Sequence, residues 1–279
     1  MSSLAAAESL IEKEMAAMSV DHKNVSRNFD AAGLAAAEAL IRAEAAASPL
    51  DDDGCDGGGL DLFAEPEETL VETVGDLRFE LVGFARDSGQ TLACTGETAW
   101  RGGDLLGAWL TATDRRVAAS VELGCGLGLA SLVALHAGVA ARAVATDGDG
   151  KALDKCARNA AANATADGRT VAVAPLRWGD DGAVDALRAE FNGGAAFDLV
   201  LGADVVYVDG AVAPLARTAA RLLSDAGVFV LAFARRGVDV ETFLEAAAAA
   251  GLESADAASP APLGPHERLL VLRKRVTTR

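Results

Sequence analysis

The chain has 279 residues and a formal net charge of −16, with 51% hydrophobic but only 5% aromatic residues. That length holds one full α/β domain plus an appendage, and the apolar content, much of it alanine, suffices for a sizeable core. The acidic balance is the opposite of what binding along a nucleic-acid backbone requires; it suits a basic partner, such as a lysine-rich protein segment, or serves solubility alone.

The first 65 residues read as an alanine-rich helical arm followed by an acidic, glycine-rich linker. LAAAESLIEKEMAA at 4–17 returns as LAAAEALIRAEAAA at 34–47, both with high helix propensity. The pair is either a docking or dimerising element or marginal helix on an exposed arm; isolated short helices are weak, which favours the second. SPLDDDGCDGGGLDLFAEPEE at 48–68 has linker composition. Residues 66–115 form a second section. In it TLVETV (69–74) and DLRFELVGF (76–84) flank a Gly75-Asp76 step and predict a β-hairpin. TAWRGGDLLGAWLTAT (98–113) predicts a helix.

From 116 to 279 the pattern is regular. Strands are predicted at 117–123, 142–147, 170–176, 197–204, 227–234 and 268–274, with a short one near Leu252. Helices are predicted at 128–138, 150–164, 211–223 and 239–250. Alternation of this kind implies a Rossmann-like α/β fold, a mostly parallel sheet with helices on both faces. Ligands bind such sheets at the carboxyl ends of the strands, where the strand order reverses.

The first strand-to-helix turn reads Glu122-Leu123-Gly124-Cys125-Gly126-Leu127-Gly128. Its glycines permit a tight turn and close backbone approach to a ligand. The third glycine comes one residue earlier than the dinucleotide pattern G-x-G-x-x-G requires. An acid preceding the loop suits a ligand with a positive amino group and no phosphate, of which S-adenosylmethionine (SAM) is an example. Asp147 ends the next strand, where a carboxylate can accept hydrogen bonds from ribose hydroxyls; the alternative is a helix cap. Trp178, in LRWGD after the third strand, is either a wall for an adenine or a core residue. The fourth strand ends Ala203-Asp204-Val205-Val206-Tyr207. Asp204 and Tyr207 face the pocket if a helical turn begins there. Otherwise Asp204 is a cap, and Tyr207 a core residue with a wet hydroxyl.

Cys55, Cys94, Cys125 and Cys156 form no C-x-x-C pair, and His22, His136 and His266 lack ligand spacing. Neither a disulfide framework nor a metal site is expected, and a reducing compartment fits: cytoplasm, or nucleus. No apolar run approaches the ~20 residues of a spanning helix, and the acidic N-terminus is a poor signal peptide.

ELGCGLG, TDGD (146–149), LRWGD (176–180) and ADVVY (203–207), in this order and spacing, resemble the seven-β-strand, non-SET protein methyltransferases, the methyltransferase-like group that modifies mostly lysine. TGETAW (95–100) looks like the family's upstream element. The resemblance covers roughly residues 69–279. It implies SAM as cofactor, with contacts at Trp100, Gly124, Cys125, Gly126, Asp147, Trp178 and Ala203, and with Glu122 beside them. It places Asp204 and Tyr207 in the substrate channel as catalytic residues. It implies a protein substrate with an accessible lysine. Charge and hydropathy point to no nucleic-acid or membrane partner, and the expectation is a monomer whose arm at 1–50 is available to dock or dimerise. The alternatives are a small-molecule methyltransferase and a non-catalytic interaction protein of the same fold.

Overall fold

Leu77, Phe79 and Leu81 alternate with polar residues, and in the computed structural model this alternation does its expected work. Phe79 and Leu81 are buried while Arg78 and Glu80 face outward. The structure describes residues 67–84, 96–234 and 237–275. The arm and linker predicted over 1–65, and Thr95 at the start of the upstream element, lie outside the described residues. Strand β1 (Glu68–Val74) pairs antiparallel with β2 (Leu77–Gly83). Gly75 supplies the left-handed residue (φ 58°) that the two-residue turn requires.

After helix α1 (Arg101–Ala112) the chain alternates: β3 (Val117–Leu123), α2 (Leu129–His136), β4 (Ala140–Asp147), α3 (Gly150–Ala162), β5 (Ala172–Pro175), α4 (Asp181–Asn192), β6 (Phe197–Ala203), α5 (Asp209–Leu222), β7 (Leu223–Ala234), α6 (Val240–Ala249), β8 (Leu252–Asp256) and β9 (Glu267–Lys274). The last seven strands form one sheet in the order β5-β4-β3-β6-β7-β9-β8, parallel except that β9 runs antiparallel to both its neighbours. Period-two side-chain placement feeds two cores. Leu199, Leu201, Val228 and Val230 face α1, α2 and α3; Val200, Phe229 and Leu231 face α4, α5 and α6.

Two elements differ from expectation. The helix predicted over 98–113 begins only at Arg101, because Trp100 is extended (φ −113°, ψ 154°) and Gly96-Glu97 form a short 3₁₀ turn. Helix α4 was not expected. Asp180 caps it by accepting from the Ala183 N–H at 2.9 Å, and Gly193 ends it in the left-handed conformation. Only Val184 and Leu187 are buried along it, so it carries too thin an apolar stripe to stand out.

The hairpin is fastened to the domain by side-chain amides that imitate a neighbouring strand. Asn159 Oδ1 accepts from the Val82 N–H (2.7 Å), and its Nδ2 donates to the Val82 carbonyl (3.3 Å). One turn later Asn163 repeats the pairing with the Glu80 N–H (3.1 Å) and carbonyl (2.8 Å). The spacings match: four residues of helix rise about 6 Å, and two residues of strand about 6.7 Å. Asn159 Nδ2 also donates to the Leu127 carbonyl at 3.1 Å, so the fully buried amide ties the hairpin to the glycine-rich turn. Asn159→Ala orphans three backbone groups and is expected to cost about 2–3 kcal/mol in urea unfolding. Asn163→Ala, at a more exposed pair, is expected to cost less than about 1.5 kcal/mol. Faster hydrogen exchange at the Val82 amide in the first variant would locate the loss at the hairpin.

Candidate active site

Strand β3 lies between β4 and β6, so the strand order reverses there and a crevice opens at the carboxyl ends of these three strands. Leu123 ends β3, Asp147 ends β4 and Ala203 ends β6. The glycine-rich turn leaves β3 with Gly124, Gly126 and Gly128 all at positive φ (65°, 50° and 86°). It is fixed by hydrogen bonds from the Cys125 N–H to the Thr146 carbonyl (2.9 Å) and from the Gly128 N–H to the Cys125 carbonyl (2.8 Å). A Cβ on Gly124 would stand 2.6 Å from Val205 Cγ1 and 3.2 Å from the Trp178 ring; one on Gly126 would stand 3.0 Å from the Gly96 carbonyl oxygen. Neither position admits a side chain.

The structure brings Trp178 directly against this turn. Its Nε1 is buried and finds no hydrogen-bond partner among the described residues. Asp147 Oδ2 accepts from the Gly126 N–H (3.1 Å), and Oδ1 accepts from the Asp149 N–H (3.1 Å). Burial raises the Asp147 pKa from its ordinary value, against these hydrogen bonds. The capping duty falls to Asp149, whose side chain accepts from the Lys151 N–H at the start of α3. Asp147 is therefore not the cap of that helix.

Glu122 faces inward. Its Oε2 accepts from the Ser131 N–H (2.9 Å) and hydroxyl (2.6 Å), which anchors α2 behind the turn. Burial pushes its pKa up to about 7. Cys125 is also buried, and contact with Cys156, together with burial, pushes its thiol up. These two residues shape the turn from behind.

Asp204 takes a left-handed backbone conformation (φ 55°) and is buried. Its Oδ2 accepts from the Gly102 N–H (2.6 Å) and its Oδ1 from the Ala234 N–H (3.0 Å). Trp100, at the N-cap of α1, has no capping oxygen, so Asp204 supplies the cap across 102 residues of sequence. Gly102 is obligatory beside it, since a Cβ there would meet Asp204 Cγ at 2.7 Å. Sequence reasoning left Asp204 as either a pocket residue or a helix cap. It missed this contact because nothing local announces it, although the Arg101-Gly102-Gly103 start of a helix was a hint. Ala203, Tyr207 and Trp100 are half-buried at the same end of the sheet.

These residues fit SAM. The two glycines offer backbone a side chain would block, the Trp178 ring walls the turn, and Asp147 is a carboxylate at the end of the strand next to β3. Fold and site together define a Rossmann-like domain with a crevice at its strand-order switch point of the kind that holds SAM. The lysine methyltransferase family matches residues 86–250, and the chain belongs to that family. The protein-lysine N-methyltransferase EFM3 of Chaetomium thermophilum is 30% identical over 177 residues, covering 60% of this chain and 51% of that protein. The chain thus spans about half the length of the curated relative it matches. A Streptococcus mutans protein assigned as a SAM-dependent methyltransferase shares 12% identity at a TM-score of 0.53, covering 75% of this chain and 56% of that one. A second assigned methyltransferase, solved in complex with SAH, shares 10% identity at 0.52 with the same coverage. At such identities these two structures establish the fold.

The buried Glu122 carboxyl generates a pH signature. Its folded-state pKa of about 7 lies above the ordinary 4.5, so the folded chain holds this proton more tightly than the unfolded chain. The resulting stabilisation is full below pH 4.5 and is lost as the pH rises to about 7. Glu122→Gln, which cannot ionise, is expected to lack this loss. Thermal melts of both proteins from pH 4.5 to 8 should show wild type falling relative to the variant over that window, and level differences across it would refute the assignment.

Proposed function

We propose that the chain transfers a methyl group from SAM to the Nε of a lysine in a protein substrate. Membership of the lysine methyltransferase family, with Asp147, the glycine turn and Asp204–Tyr207 gathered at one switch point, carries this reading. SAM supplies, when bound, an electrophilic methyl carbon on a sulfonium, so the protein mainly positions and desolvates.

A lysine attacks only as the neutral amine, and its ordinary pKa is ~10.4. Val205 and Val206 are buried between Asp204 and Tyr207, which sets the polar groups of this strand end among apolar neighbours. Desolvation there lowers an incoming lysine's pKa and eases proton loss. Asp204 attracts the ammonium by its negative charge. The Gly102 and Ala234 N–H groups hold its carboxylate in a fixed direction at the strand end. Tyr207 walls the channel. The acidic charge of the chain favours acceptors with basic surroundings.

The cytoplasm, with the nucleus as the alternative, is proposed as its location; both described cysteines, Cys125 and Cys156, are free thiols. A monomer is proposed because, among the described residues, Val71 and Leu263 alone are large, apolar and exposed.

Calorimetric titration with SAM and a mass-resolved methylation assay on protein acceptors test the reading. Asp147→Ala is expected to weaken SAM binding at least about tenfold. Asp204→Ala is expected to lower turnover about 100-fold or more with a smaller loss of SAM affinity. Parallel loss of both in the Asp204 variant would assign Asp204 to bracing alone. Methylated metabolites without methylated protein would favour the small-molecule alternative.

A further inference from the structure

Lys155 lies on α3 outside the crevice, yet it is only 6% exposed, a rare condition for a lysine. Its Nζ stands 2.5 Å from Glu97 Oε2, 2.7 Å from Glu67 Oε1 and 4.9 Å from the centroid of the Phe84 ring. Burial disfavours its charge, but the hydrogen bonds to Glu67 and Glu97 outweigh it and hold its pKa above the ordinary lysine value. Arg158 shares Glu67 from the exposed side; Arg158 first and Lys155 second pull the Glu67 carboxyl down to about 2.

What this cation holds is a piece of backbone that does border the crevice. Glu97, itself buried, follows Gly96, whose carbonyl oxygen lies 3.0 Å from where a Gly126 Cβ would be. On the other side a Gly96 Cβ would stand 2.8 Å from the Ala152 Cβ, three residues before Lys155 on α3. The segment is therefore pressed between α3 and the cofactor turn with no room for a side chain at Gly96. Its register is set by the Phe84 N–H donating to the Glu97 carbonyl at 2.9 Å, beside a parallel bridge between Phe84 and Thr98. Trp100 and the first turn of α1 follow directly.

We propose that Lys155, acting through Glu97, is a positioning residue of the cofactor pocket. It fixes Gly96–Trp100 over the Gly126 turn, so that the lead-in to α1 closes the pocket in the geometry that binds SAM. Neither side chain touches the reacting atoms. Severing the pair loosens cofactor binding while the transfer step, once SAM is bound, proceeds nearly as before. The inference rests on SAM binding at this site.

The test uses the full chain with Lys155→Met, Glu97→Gln, the double variant, Lys155→Arg, and Arg158→Met as the control that cuts only the exposed arm of the network. Calorimetry gives the SAM Kd, and steady-state assays give kcat and the KM for SAM. Lys155→Met and Glu97→Gln should each raise Kd and KM about tenfold, the scale of one charge-assisted hydrogen bond. Turnover at saturating SAM should stay within about twofold. The double variant should be no worse than the Lys155 single, as for two members of one interaction. Lys155→Arg should recover part of the affinity, and Arg158→Met should bind SAM like wild type. Glu97→Gln is the gentler lesion and carries the test if Lys155→Met does not fold. Unchanged Kd in folded Lys155 and Glu97 variants overturns the inference, as does an equal effect from Arg158→Met. Failure of wild type itself to bind SAM would instead overturn the cofactor assignment.

Discussion

Two carboxylates at the strand ends hold the crevice together by gripping backbone. Asp147 joins the end of β4 to the glycine turn through the Gly126 N–H, and Asp204 joins the end of β6 to α1 and the end of β7 through the Gly102 and Ala234 N–H groups. Backbone donors cannot rotate away as side chains can, so each carboxylate is fixed in direction before any ligand arrives. Such fixed dipoles and charges need little reorganisation when a reaction begins, which is the main means by which a protein lowers a barrier electrostatically. Close approach of backbone marks the same region: a Cβ on Gly102 would meet Asp204, and one on Gly126 would meet the Gly96 carbonyl.

Helix α3 organises the other side of the crevice. Lys155, Asn159 and Asn163 recur at four-residue intervals and so share one face. Lys155 holds Glu97, Asn159 holds Val82 and Leu127, and Asn163 holds Glu80. Opposite Cys156 on the same helix, a Gly128 Cβ would stand 2.7 Å from its Sγ. Hairpin, lead-in segment and glycine-rich turn thus all depend on one helix. Displacing any of them strains bonds that the other two depend on, and a buried amide or ammonium left without partners carries a full desolvation penalty.

Much of this was legible in the residues. The strands at 117–123 and 197–203 follow from segments rich in Val, Leu and Ala, because a parallel sheet buries both faces of its inner strands. Asp147 and the glycine turn follow from position at strand ends. What escaped has a common cause: it depends on contacts between distant segments. Asp204 as the cap of α1 spans 102 residues, and the Asn159–Val82 pair spans 77. Helix α4 escaped for the converse reason, since local capping by Asp180 defines it while its packing leaves too few buried positions to set a period. Glu122 was read as part of the ligand surface because it precedes the turn. A strand alternates faces, and this residue points to Ser131 behind the turn.

Asp204 concentrates the tension between structure and chemistry. A left-handed backbone costs a residue with a Cβ about 1–2 kcal/mol, and aspartate is among the few side chains that tolerate it. Glycine would relieve that strain but would leave the Gly102 and Ala234 N–H groups without their acceptor. Asparagine would keep the backbone preference but would present one oxygen where two N–H donors now find two. Only aspartate combines the turn at the end of β6, two backbone acceptors and a negative charge at the strand ends that border the crevice. Strain held in place by the bonds it makes possible is the usual mark of a functional position, and here the bonds that hold it are the ones that orient the charge.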